Sequence, residues 1–97
     1  MATFIFLEQW TERGIAAVRD TVDRTEVAER QMERFGGRLK DVYWTVGPYD
    51  AIAIAEFPDA ESASAYALTA ASGGNFRTVT LRAFDRDEMR AVLGQMG

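Results

Sequence analysis

Cysteine and histidine are both absent from the 97 residues. Without cysteine there is no disulfide and no thiolate nucleophile. Zinc sites of the common kind lose their ligands, and a haem could be held only by tyrosine. A Ser-His-Asp triad cannot be assembled. Long apolar runs are missing too, so no membrane-spanning helix is expected. The stretch Met1 to Trp10 is apolar but is interrupted by Glu8 and lacks a basic leader. It reads as a strand and not a signal peptide, which makes the cytoplasm the expected location. Positive charge is in deficit, with 11 basic against 15 acidic residues and a formal charge of -4. Nucleic-acid binders usually carry the opposite excess, because phosphate neutralisation supplies most of their affinity. No glycine-rich phosphate cradle is present. The chemistry left open is that of carboxylate, tyrosine, lysine, arginine and amide groups, and neither a metal nor a cofactor is expected.

A hydrophobic fraction of 47% and a charged fraction of 27% are those of a folded globular chain. The length suits one domain, residues 1–97, whose core is small enough that a partner subunit would complete its burial. Thr3 to Trp10 forms a first strand with apolar residues on both faces, as in a central strand. Thr11 offers a helix N-cap, followed by Ile15, Val18 and Val22 at helical steps. Asp23 and Glu26 have the spacing of a capping box for a second stretch ending at Phe35, which Gly36-Gly37 terminates. Arg38 to Val46 is a second strand. Strict alternation puts Leu39, Asp41, Tyr43 and Thr45 on one face and Val42, Trp44 and Val46 on the other. Ala51 to Phe57 is a third strand, small at Ala51, Ala53 and Ala55 and large at Ile52 and Ile54. Its small face either admits a helix closely or leaves room for a cavity.

Asp59 caps an alanine-rich helix over Ala60 to Ala71. Phe76 to Phe84 is a fourth strand, with Val79 and Leu81 on one face. Thr78, Thr80 and Arg82 lie on the other. Asp85 and Glu88 repeat the capping spacing before a short C-terminal helix. The order is that of an α+β, ferredoxin-like βαββαβ sandwich, with helices on one face of a four-stranded antiparallel sheet. The uncovered face is not uniformly polar, which marks an interface, and self-association through the sheet is expected.

Two strings could carry chemistry. Val46-Gly47-Pro48-Tyr49-Asp50 is first of all a turn. Tyr49 and Asp50 are also catalytic candidates, as a proton donor and the carboxylate that orients it. The string Asn75 to Phe84 carries Arg77 and Arg82, which could bind a carboxylate or phosphate or else pair with acidic neighbours such as Asp41 or Glu56. Asn75 reads as a loop cap. The aromatics Trp10, Tyr43, Trp44 and Tyr66 suit core or interface anchors.

Gly47-Pro48-Tyr49-Asp50 followed by Ala51-Ile52-Ala53-Ile54-Ala55-Glu56 resembles the signature of the GYD domain family. The likeness extends to Trp10-Thr11 with Gly14-Ile15, to Phe35-Gly36-Gly37, and to Gly74-Asn75-Phe76-Arg77-Thr78 running on to Leu81-Arg82-Ala83-Phe84. It implies a ferredoxin-like fold related to dimeric α/β-barrel proteins, and small bacterial or archaeal homo-oligomers. It implies no activity.

Three functions follow. A binding or regulatory module would hold a small anionic or aromatic molecule with Tyr43, Tyr49, Arg77 and Arg82. A metal-free, cofactor-free enzyme would use Tyr49 or Tyr43 as acid and Asp50 or Glu56 as base, and would show a strongly raised carboxylate pKa in a pocket. A structural oligomerisation domain would use every aromatic in packing. A sheet-borne RNA site is disfavoured, because the third strand reads Ala-Ile-Ala-Ile-Ala where stacking aromatics are needed.

Overall fold

The computed structural model describes residues 1–97. The elements are β1 (Ala2–Trp10), α1 (Glu12–Ala16), a 3-10 turn (Val18–Asp20), α2 (Thr21–Arg34), β2 (Arg38–Trp44), β3 (Ala51–Phe57), α3 (Ala60–Ala71), β4 (Phe76–Ala83) and α4 (Arg86–Gly94). The sheet order is β2-β3-β1-β4 and every pairing is antiparallel. This is the ferredoxin-like α+β arrangement. The apolar β1 is central as expected, paired on both edges. No helix is long and apolar enough to cross a membrane.

Local chemistry sets the helix starts. Thr11 Oγ1 accepts from Gly14 N at 3.2 Å, and Asp59 Oδ1 accepts from Ser62 N at 2.8 Å. Asp85 and Glu88 form a full capping box for α4. The Asp23–Glu26 box does not form. The 3-10 turn feeds straight into α2 at Thr21, and the preceding Asp20 makes no side-chain cap. Asp23 lies instead inside the first turn, where its charge favours the helix dipole. Gly36 takes the positive φ of 80° that ends α2 and that a side chain would resist.

Strict alternation along β2 also fails. The β2–β3 register shifts between Leu39 and Asp41, with Leu39 opposite Ala55 and Val42 opposite Ala53. The bulge at Lys40 inserts one residue, so Leu39 joins Val42 and Trp44 on the helix side. Asp41 and Tyr43 stay on the other.

The register sorts the two faces. Phe4, Phe6 and Glu8 of β1 share the helix side with Ala51, Ala53, Ala55 and Phe57 of β3. At one end this layer is filled. Phe6 lies edge-on to Phe57 with centroids 6.1 Å apart and to Tyr66 at 5.4 Å. Ala55 faces α3 residues Ala63 and Ala67 in the same buried cluster, so the helix comes down closely there. The opposite face carries Ile5, Leu7, Ile52, Ile54, Val79 and Leu81 and has no helix over it; Val79 is 46% and Leu81 43% exposed. α4 buries none of its residues. It is tied back through Arg82, whose Nη2 meets Glu88 Oε2 at 2.8 Å and whose guanidinium lies 4.5 Å from the Phe84 ring centre.

Phe57 is fully buried against three aromatic rings. Phe57→Ala is expected to destabilise the fold by about 3–5 kcal/mol. Urea unfolding should show a lowered midpoint at an unchanged slope.

Candidate functional site

The helix-side layer is not filled at its other end. Ala51 and Ala53 contribute almost no bulk where β3 meets the turn, and Gly14 of α1 and Gly73 of the turn after α3 are equally small on the facing side. A cavity of about 290 Å³ remains, near the lower limit of small-ligand pockets. Its floor is Glu8 and Trp10 of β1 with Ala51 and Ala53 of β3. Trp44 and Val42 of β2 close one side, and Thr21, Arg24, Ala28 and Met32 of α2 form the roof. Tyr66 and Ala70 of α3 and Phe76 of β4 complete the wall. Trp44 Nε1 donates to Thr21 Oγ1 at 2.9 Å, which fixes the indole across the mouth.

The loops beside the cavity are clasped together. Thr11 N donates to Asn75 O at 3.2 Å, and Thr11 Oγ1 donates to Gly74 O at 2.6 Å. A Cβ at Gly14 would overlap the Asn75 carbonyl, so only glycine lets α1 approach this closely.

Glu8 is the chemically distinctive residue. Period two places it on the helix side after Phe4 and Phe6, and its carboxyl has no hydrogen-bond partner or ion pair in the chain. Burial raises its pKa from 4.5 to about 7. Tyr66 is buried beside it; burial first, and the Glu8 charge second, push its phenol pKa up. Tyr66 therefore stays a proton donor at any physiological pH. Two further polar atoms are buried without partners, Asn75 Oδ1 at the cavity edge and Thr78 Oγ1 opposite Glu8 in the β1–β4 register. Asn75 caps its loop through the backbone, and its side-chain oxygen is left over.

The residues singled out from the sequence do not converge. Asp50 is a structural fastener, with Oδ2 accepting from Trp10 N at 2.8 Å and its own N donating to Glu8 O at 2.8 Å. Tyr49 sits in the turn, where its carbonyl accepts from Thr45 Oγ1 at 2.6 Å. Tyr43, 56% exposed, lies on the open face. Arg77 shares that face opposite Gln9, on the far edge of the sheet. Arg82 is engaged by Glu88, not by Asp41 or Glu56. Glu56 pairs with Arg38, and that hydrogen bond holds its pKa below the ordinary carboxylate value. The raised carboxylate expected of an acid-base pocket thus exists, but at Glu8. One signal for it was present in the sequence: a single charge at a helix-facing position of an otherwise apolar strand.

The comparisons with known proteins are consistent with this architecture. The family model described as the GYD domain matches residues 4–93. A protein of Thermus thermophilus, named glutamine synthetase and cystathionine beta-lyase binding protein, is 34% identical over 94 residues. The alignment covers 96% of this chain and 99% of that protein.

Two outcomes test the geometry. Glu8 is protonated in both folded and unfolded chains below pH 4.5. Between there and about pH 7 only the folded chain holds the proton, so stability falls across that window and levels off above it. The loss amounts to roughly 3 kcal/mol. Glu56, Asp59 and Glu88 have lowered pKa values and act in the opposite sense, at more acid pH. Glu8→Gln should therefore raise Tm at pH 8 and flatten the profile between pH 5 and 8. Asp50→Ala, which strips Trp10 N–H of its acceptor, should cost about 1–3 kcal/mol. Tyr49→Phe should stay within about 0.5 kcal/mol in the same denaturation assay.

Proposed function

This chain belongs to the GYD domain family, and from that premise we propose that it is a homo-oligomeric binding module. It takes a small molecule into the sheet–helix cavity and answers to it through its outer surfaces. The observation that carries this reading is the cavity itself: apolar walls, one half-buried acid without a partner, and partnerless polar atoms beside it. A chain that needed only to fold would gain by filling that space, because a void and a poorly solvated carboxyl without a partner both cost stability.

The printed name of the Thermus thermophilus relative describes a protein that binds two enzymes. It supports a regulatory role in which this chain too engages a protein partner. The open sheet face suits association with a second copy. It is continuous and apolar, with Asp41 on the β2 edge and Arg77 on the β4 edge, two unpaired opposite charges that a two-fold stacking of sheets would bring together.

A second reading draws on Glu8 alone. A carboxyl poised near pH 7 beside a tyrosine that keeps its proton is also the arrangement of an acid-base enzyme, with Glu8 as base and Tyr66 as acid.

Native mass spectrometry of the protein from its own host, followed by denaturing analysis of what is released, tests the first reading. A homo-oligomer carrying one defined small molecule per chain is expected. Ala70→Leu, which builds into the cavity, should abolish that mass without lowering Tm. An empty protein that Ala70→Leu leaves unaltered would overturn the binding module. Leu81→Arg on the open face should yield folded monomers by light scattering; an unchanged oligomer would exclude the sheet as the interface.

A further inference from the structure

The cavity is lined by one acidic and one basic side chain, and neither has an ion-pair partner within the chain. Glu8 stands on the floor and Arg24 on the roof. Every ion pair in the protein lies elsewhere, at Arg38–Glu56, Arg82–Glu88 and Arg90–Asp87. The Arg24 side chain makes no hydrogen bond within the chain, and its charge is not among the causes of the Glu8 shift. The two groups therefore face one space without meeting across it. Asn75 Oδ1, a second acceptor without a donor, lies at the edge of the same space. Between them the walls are aromatic and aliphatic: Trp10, Trp44, Tyr66, Phe76 and Met32.

From this arrangement we propose that the ligand is a small amino acid, its ammonium on Glu8 and its carboxylate on Arg24, with the side chain against the apolar wall. The inference rests on the binding reading above and names the class of molecule bound. Each charge of the ligand meets an opposite charge in a partly desolvated site, and such charge-assisted hydrogen bonds are stronger than those between neutral partners. The aromatic walls favour the ammonium further through their ring faces. A plain amine would leave Arg24 unanswered, and a plain carboxylic acid would leave Glu8 without a counter-charge. A cavity of about 290 Å³ suits a molecule below drug size.

An ammonium arriving at Glu8 would also drive off the proton that burial holds there. Of the other groups around Glu8, Tyr66 from α3 keeps its proton and the Arg24 cation from α2 lines the same cavity without reaching it; β3 brings alanine, β4 phenylalanine and a threonine hydroxyl, and the loop before β4 the Asn75 amide. Binding near pH 7 should thus release about half a proton, all of it from Glu8.

The test is a thermal-shift screen of the isolated oligomer against the twenty standard amino acids at millimolar concentration. Calorimetry then compares the best of them with its decarboxylated amine and its deaminated acid. At least one amino acid should stabilise the protein and bind tenfold or more tighter than either one-charge analogue. Arg24→Gln should erase the advantage over the amine, and Glu8→Gln the advantage over the acid. Glu8→Gln should also remove the buffer-dependent part of the binding enthalpy. Both variants retain the core, so their effects are not those of unfolding. If no amino acid stabilises the protein, or if an analogue binds as tightly, the inference is overturned. A different small molecule released in the mass spectrum would overturn it while leaving the binding module standing. An empty spectrum together with a null screen would remove both.

Discussion

The structure depends on a gradient of side-chain volume across one layer. On the helix side of the sheet, Phe4, Phe6 and Phe57 crowd one end while Ala51 and Ala53 leave the other nearly bare. Helices curve only gently, so the 12-residue α3 cannot follow such a gradient by bending. α3 settles onto Ala55 through its own alanines Ala63 and Ala67, and that close contact fixes its height over the whole sheet. Over the bare end the same height leaves a hollow. The core and the cavity are therefore one packing solution, and the alanine stripe of β3 is the common cause of both.

Glu8 shows what this solution costs. Its backbone position is dictated by the same alternation that buries Phe4 and Phe6, so the strand cannot turn the carboxyl outward without exposing the core. The acid is held in a poorly solvated space, and the neutral form becomes competitive at physiological pH. Residues that violate the local rules of folding in this manner concentrate at functional sites. Asp50 shows the contrast. It is the named residue of the family signature, yet its carboxylate is spent on a backbone N–H of the neighbouring strand. In this chain Asp50 fastens β1 to the start of β3, and the chemically free residue is the one that junction positions.

The fold was legible because it rests on short-range rules. Thr11, Asp59 and Asp85 cap helices, Gly36 stops one, and the apolar strands alternate in size. The alternatives stated for the Ala-faced strand, a close helix or a cavity, are both realised, at opposite ends. Two local readings failed where a neighbour supplied what the local residue would have. Asp23 is not a cap because the 3-10 turn leads directly into α2. Leu39 changes face because Lys40 is an inserted residue, and a bulge leaves no mark in hydrophobic periodicity. The site was less legible for a reason of distance. Glu8, Arg24, Tyr66 and Asn75 come from β1, α2, α3 and the loop before β4, and nothing in their spacing brings them together. Tyr43, Tyr49, Arg77 and Arg82 attracted notice as chemically capable side chains, and the fold does not bring the four to one place.

The Lys40 bulge has an effect beyond the side chains it redirects. β2 is one border of the sheet and β4 the other. A border strand presents free backbone donors and acceptors that invite another chain to extend the sheet. On β2 that row is out of step with itself, so an incoming strand that matched one half would miss the other. Growth of copies edge to edge, β4 of one against β2 of the next, would need both borders intact, and only β4 is. The single extra residue thus biases a chain with much exposed apolar surface toward assemblies that close and away from ribbons that do not.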